Sequence, residues 1–135
     1  MYDFYRENIL DHDRNMRYRG VLDPADIDYE AVNPLCGDKL RLTLRLSEDK
    51  THIEALAWEG EGCAISKASA SMLGEMILGK SLDEVRAISK QDVFDLIGIP
   101  LSMNRVKCGL LSLKALTVAL YGLGEWERRE QAEED

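Results

Sequence analysis

Lys39-Leu40-Arg41-Leu42-Thr43-Leu44-Arg45-Leu46 alternates apolar and polar side chains without a break. Successive side chains in a strand point to opposite faces, so this stretch reads as a strand with a buried leucine face and an exposed, largely basic one. Ser47-Glu48-Asp49-Lys50 follows as a polar turn, and residues 51–59 supply a second strand, making an antiparallel hairpin. Upstream, residues 29–32 offer a further short strand. Downstream of Gly60-Glu61-Gly62 the period changes. Ile65, Ala68, Met72 and Met76 recur at three- and four-residue spacing, which predicts a helix starting at Cys63 and ending near Gly79.

Further helices follow. Ser81-Leu82-Asp83-Glu84 has the form of a capping box, and Ser89 with Asp92 opens another short helix that stops before Gly98 and Pro100. A last helix is expected from near Cys108, with Leu110, Leu113, Leu116 and Leu120 on one stripe and Gly122 and Gly124 ending it. Before the sheet, Tyr2, Tyr5 and Ile9 predict an amphipathic helix over residues 2–13, and residues 14–26 read as a linker. The sum is an α+β fold, a small antiparallel sheet followed by helices. Residues 1–124 form the expected single domain, and 125–135 a charged, frayed and solvated tail.

A chain of 135 residues suits one domain with a core that needs neither metal nor disulfide to hold it. A net charge of -8 argues against a nucleic-acid partner, because phosphate backbones demand a basic surface. No stretch approaches the roughly 18–20 apolar residues that span a bilayer, and the opening residues lack the apolar core of a signal peptide. Three cysteines is an odd number for a secreted disulfide framework, so a reducing cytoplasm is the expected home.

Those cysteines carry the chemistry, in Cys36-Gly37-Asp38, Gly62-Cys63 and Lys107-Cys108. Each is expected where an element begins or ends. Three thiols and the Asp38 carboxylate complete a four-coordinate zinc set, or three thiolates of an iron–sulfur site with a carboxylate beside them. Gly37 permits a turn that lets Cys36 and Asp38 point the same way, though Asn33-Pro34 and Gly37-Asp38 also read as ordinary turn residues. Cys63, at a helix start behind two glycines, stands where the helix dipole stabilises a thiolate; a buried structural cysteine is the other reading. Cys108 is expected at another helix start, with Arg105 and Lys107 adding positive charge or serving as plain solvated bases. Spacings of 27 and 45 residues between cysteines match no zinc finger, and no Cys-x-x-Cys occurs. His12, between Asp11 and Asp13, and His52, after a turn, read as surface residues, with His12 available as an extra ligand.

Taken in order, the runs Asn33-Pro34-Leu35-Cys36-Gly37-Asp38, Gly60-Glu61-Gly62-Cys63-Ala64-Ile65-Ser66 and Arg105-Val106-Lys107-Cys108 resemble the iron–sulfur cluster assembly scaffold family, IscU and SufU. Tyr5-Arg6, Asp11-His12 and Gly20-Val21-Leu22 carry the likeness into the N-terminal segment. The resemblance implies a small three-stranded antiparallel sheet packed against several helices and a site of Cys36, Asp38, Cys63 and Cys108. It implies zinc or iron, with a transient Fe–S cluster, at that site. Its partners would be a PLP-dependent cysteine desulfurase, which hands over persulfide sulfur, and Fe–S acceptor proteins. The cysteine runs are nearer SufU, because IscU proteins carry histidine where Lys107 stands; the short interval between Cys63 and Cys108 is nearer IscU. Two mechanisms follow from the likeness. In the SufU-like one, Cys36 attacks the enzyme persulfide and Arg105 holds the released Asp38 carboxylate by a charge-assisted pair. In the IscU-like one, Cys108 receives the sulfur.

Overall fold

The computed structural model describes residues 3–34 and 37–134. The expectations for Tyr2 and for the surroundings of Cys36 lie outside the described residues. Three strands, β1 (Ile27–Asn33), β2 (Asp38–Leu46) and β3 (Ile53–Glu61), form an antiparallel meander in the order β1-β2-β3. Among the described residues six helices accompany them: α1 (Asp3–Arg14), α2 (Ala64–Ile77), α3 (Leu82–Arg86), α4 (Lys90–Ile97), α5 (Met103–Tyr121) and α6 (Leu123–Glu134). The α+β architecture and the three-stranded sheet are as expected, with β1 longer at both ends than residues 29–32.

Register sets what each face carries. Leu42 stands opposite Tyr29 on β1 and Trp58 on β3, Leu44 opposite Ile27 and Leu56, and Leu40 opposite Ala31 and Gly60. Directly opposed residues share a face, so these rows make one continuous apolar surface. Leu40, Leu42, Leu44 and Trp58 are wholly buried, and α2 and α5 pack on that surface. Each such side chain contributes about 1.5–3 kcal/mol through burial. Opposite-face rows are charged, with Arg41 between Glu30 and Glu59 and in a two-nitrogen ion pair with Asp28 (2.9 and 2.6 Å). Part of the same face is covered. The Leu22 N–H donates to Thr43 Oγ1 at 3.0 Å, while Trp58 N–H donates to the Tyr18 carbonyl and Gly20 N–H to the Trp58 carbonyl. The expected linker is therefore bonded along the outer edge of β3.

Small residues let α2 and α5 approach. Ser69 Oγ donates to the Gly109 carbonyl at 2.7 Å and lies 2.9 Å from Ser112 Oγ, with all three residues buried. A side chain at Gly109 would press on Leu101 and Ile97 at 3.0 and 3.1 Å. Both capping boxes form: Ser81 with Glu84, and Ser89 with Asp92. Gly98 then ends α4 in the left-handed conformation at φ 75°.

Four expectations are corrected. Helix α5 begins at Met103, capped by Ser102 in extended conformation just past Pro100, so Cys108 lies inside it on the buried stripe rather than opening it. Gly124 terminates nothing; Gly122 ends α5, and α6 starts at Leu123. In α6, Trp126 is buried against the core and Arg129 donates to the Ile88 and Arg86 carbonyls, contacts that tie down a segment expected to be solvated.

His12 is the fourth. It is 5% exposed, its Nδ1 lies 2.7 Å from Ser71 Oγ on α2 and its Nε2 3.3 Å from Glu75 Oε1. With Asp13 paired to Lys67 at 2.9 Å, it fastens α1 to α2. The α-helical periodicity of Tyr5 and Ile9 leaves His12 on the inner face, which flanking aspartates disguise. Burial holds its pKa below the ordinary value; Arg17 adds to that effect, while Glu75 and Asp11 oppose it. The folded state thus binds fewer protons here than the unfolded chain, and stability is lost as pH falls through the ordinary value of 6.5. The thermal midpoint should drop between about pH 7.5 and about pH 5.5, and His12→Gln should flatten that part of the profile. An unchanged slope in the variant would assign the loss to other groups.

Candidate metal centre

Parity along β2 carries the inner face past Leu40 to Asp38, so the apolar stripe of the sheet ends in a carboxylate. Asp38 is 5% exposed and stands opposite Asn33, equally buried at the end of β1. Across β3 the same row ends in Gly60 and Gly62. A Cβ on Gly60 would lie 2.4 Å from the Lys39 carbonyl oxygen and 2.7 Å from Leu40 Cδ2; one on Gly62 would lie 2.7 Å from Asp38 Cγ. The glycines before Cys63 are therefore explained. Gly60 clears room for the Lys39 carbonyl and the Leu40 side chain, and Gly62 makes room for the Asp38 carboxylate.

Cys63 is the extended N-cap residue of α2 (φ -72°, ψ 165°) and makes no side-chain cap hydrogen bond, so its thiol is not spent on the helix. Cys108 arrives from α5, buried, with its Sγ 3.8 Å from the Asn104 carbonyl and 3.9 Å from Asn33 Nδ2. One ligand atom from each of Asp38, Cys63 and Cys108 lies within 4.8 Å of the other two. Three elements distant in sequence thus converge at one end of the sheet. Burial pushes the Asp38 pKa up, but donors from Ser66, Cys108 and Cys63 outweigh it and leave the carboxyl below its ordinary value. It is held as a carboxylate, the form that ligates. Ligand atoms of a tetrahedral zinc site stand roughly 4 Å apart, so this donor set fits a thiophilic metal with small side-chain adjustments.

Arg105 is exposed, near the start of α5 and one turn before Cys108, and makes no side-chain hydrogen bond or ion pair with a described residue. Lys107 is exposed beside it. His12 is engaged with α2 and not with the converging ligands, and His52 is exposed with its ring against Thr51. The residues that sequence reasoning missed are Asn33 and Ser66. Asn33 was legible as the partner of Asp38 across the turn, and Ser66 as the residue one helical turn after Cys63 on the same face of α2.

Small α+β proteins that gather thiols and a carboxylate at the open end of a three-stranded sheet form one recognisable class, and this fold and site place the chain in it. Residues 4–132 match the NifU-like N-terminal domain model, and the chain belongs to that family. It is 39% identical over 129 aligned positions to the zinc-dependent sulfurtransferase SufU of Bacillus subtilis, covering 83% of this chain and 86% of that protein. The iron–sulfur cluster assembly scaffold protein IscU of Aquifex aeolicus is 34% identical over 116 positions, covering 86% of this chain and 73% of the relative. The 129-position alignment exceeds the share of this chain it takes in, so the SufU relative carries residues lacking here. Among solved structures, one from Fervidobacterium islandicum, assigned as a cluster assembly scaffold of the SUF system, superposes with a TM-score of 0.72 at 28% identity, over 88% of this chain and 98% of that one.

Proposed function

We propose that this protein assembles iron–sulfur clusters: it accepts persulfide sulfur from a PLP-dependent cysteine desulfurase and gathers iron, a nascent cluster or zinc at Cys36, Asp38, Cys63 and Cys108. The observation that carries this reading is the convergence of Asp38, Cys63 and Cys108 from β2, the cap of α2 and α5. Two soft donors and one harder oxygen make a site that can hold a cluster and also let it go to an acceptor protein.

Burial of Cys108 supports Cys36 as the thiol that reaches the partner. Its thiolate attacks the outer sulfur of the desulfurase persulfide; an S–S bond forms on Cys36 as the donor S–S bond breaks, and the donor cysteine leaves as thiolate. In the same proposal Cys108, buried inside the site, serves the later step of holding sulfur and metal together. Arg105, unpaired with any described residue, is suited to receive the Asp38 carboxylate when it swings off the metal. Arg105→Ala should keep metal content and slow desulfurase turnover in the mixture by about tenfold, less than the roughly 100-fold that misplacing a reacting group can cost. Unchanged turnover would remove Arg105 from the mechanism.

A second reading, a zinc-dependent sulfurtransferase that relays sulfur without holding a cluster, is favoured by the 39% identity to SufU and by Lys107 ahead of Cys108. The net charge of -8 supports protein partners over nucleic acid, and no helix among the described residues is long and apolar enough to cross a membrane. A cytoplasmic home belongs to the same proposal, because thiols that take up sulfur and metal must stay reduced. Anaerobic mixing with cysteine, iron and a cysteine desulfurase, followed by metal and acid-labile sulfide analysis, separates the readings. Iron and sulfide in near-equal amounts, dependent on Cys36, Cys63 and Cys108, mean a scaffold. Retained zinc with faster desulfurase turnover and no labile sulfide means the sulfurtransferase. Absence of both metal retention and desulfurase stimulation would overturn the two readings together.

A further inference from the structure

Ser66 belongs to no expected ligand set, yet its hydroxyl touches all three described residues of the site. Its Oγ lies 2.6 Å from Asp38 Oδ2, 3.2 Å from the Cys108 carbonyl oxygen and 3.6 Å from Cys63 Sγ. The side chain is wholly shielded from solvent, so no water stands ready to replace it. A hydroxyl has one proton to donate. With three acceptors in reach, the short contact to a buried carboxylate takes it, because charge-assisted hydrogen bonds are the shorter and stronger ones.

We propose that Ser66 is a positioning residue for Asp38: its hydroxyl proton fixes the carboxylate through Oδ2 and leaves Oδ1 for the metal. The inference rests on the metal-binding role proposed above. Position explains why this residue can do it. Cys63 and Ser66 are three apart at the start of one helix, so they share a face and keep a fixed separation. The Cys108 carbonyl, 3.2 Å away on the facing helix, then packs beside the hydroxyl without sharing its proton. Asp38 is thereby oriented from α2, the helix whose cap also delivers Cys63, so the carboxylate and that sulfur share one frame. Without the hydroxyl, Oδ2 loses its short donor, and the donors from Cys63 and Cys108 alone leave the carboxylate free to turn about its soft torsion. Groups that orient a ligating carboxylate from outside the coordination sphere typically change metal affinity by about 10–100-fold when removed.

The test is a double-mutant cycle on zinc and cobalt(II) binding, using the full chain. Ser66→Ala should weaken affinity for both ions by about 10–100-fold. In an Asp38→Ala background the same substitution should change affinity by less than about threefold, because the group it positions is gone. The visible spectrum of the cobalt(II) form of Ser66→Ala should match that of Asp38→Ala in its ligand-field bands while keeping the thiolate charge-transfer bands. A purely structural role would not produce that match. Ser66→Thr, which retains the proton donor, should hold wild-type affinity, and it decides the question should Ser66→Ala fail to fold. Equal affinity of Ser66→Ala and wild type, an undiminished loss in the Asp38→Ala background, or a loss in Ser66→Thr as large as in Ser66→Ala would each overturn the inference. A wild-type chain that binds neither ion would instead overturn the metal-binding role, and this inference with it.

Discussion

Cys63→Ser should remove the metal and leave the fold intact or firmer. Structural zinc sites are worth about 10–16 kcal/mol in apparent binding free energy over four ligands, so one thiolate accounts for roughly 3 kcal/mol, more than two decades in affinity. Serine oxygen is a poor replacement, being neither soft nor ionised near neutral pH. The local backbone, however, wants serine. Cys63 is the N-cap of α2 in extended conformation with no side-chain cap hydrogen bond, and serine is among the preferred residues at that place. Supplying the missing cap is worth about 0.5–1 kcal/mol, so the metal-free variant should melt slightly above the metal-free wild type. Metal content by atomic emission and calorimetry of both apo-proteins check the two halves separately. A variant that retains wild-type metal would show that Cys63 is no ligand, and one that loses both metal and fold would show that its role is structural.

Gly62→Ala should mimic Asp38→Ala. The added Cβ would stand 2.7 Å from Asp38 Cγ and 2.9 Å from Oδ1, closer than packed atoms approach. Alanine is also strained by the backbone at φ 158°, so relief comes partly from a shift at the end of β3 and partly from turning Asp38 about its Cα–Cβ bond, since the Asp38 backbone is held in the sheet opposite Asn33. The turn costs the hydrogen bond from Ser66, and with it the orientation of the ligand. Zinc affinity should therefore fall by about the same one to two decades as in Asp38→Ala, and the double variant should be no weaker than either single one. Overpacking of this kind costs about 1–3 kcal/mol in stability, enough to lower the melting temperature while leaving the protein folded at 25 °C. Additive losses in the double variant would mean that the alanine acts through β3 and not through Asp38. Gly60→Ala makes the control: its Cβ meets the Lys39 carbonyl and Leu40, so it should cost stability without a specific effect on metal.

Much of this site was legible in the chain itself. The Leu40–Leu46 alternation already places Asp38 on the leucine face, because parity runs on unchanged through Lys39. The Gly60-Glu61-Gly62 run signals a close approach to the backbone, and the approaching groups prove to be the Lys39 carbonyl with Leu40 in one case and the Asp38 carboxylate in the other. Cys63 at the head of α2 follows from the change of period alone, and both capping boxes follow from their residue spacing. Where α5 begins was not legible from the stripe of Leu110, Leu113 and Leu116. Residues 103–107 are polar or exposed apart from the half-buried Val106, so periodicity has nothing to register there, although Ser102 and Pro100 mark the boundary. The earlier start moves Cys108 from a helix terminus to a buried position in the second turn. There the helix dipole no longer favours a thiolate, since its effect fades within the first turn.

Local order, then, is what the sequence by itself determined: the β2–β3 hairpin and its parity, the helix starts at Ser81, Ser89 and Cys63, and a set of thiols and one carboxylate to be brought together. Each depends on neighbours a few residues apart, where side-chain direction and backbone preference leave few choices. Only the tertiary structure decided that Asp38, Cys63 and Cys108 share one end of the sheet, that Ser66 binds Asp38, that His12 is buried and that Trp126 anchors α6. Those outcomes hang on how α1, α2, α5 and α6 pack against one another and the sheet, through small contacts such as Ser69 on Gly109. Close packing couples residues dozens of positions apart, and no local period carries that information.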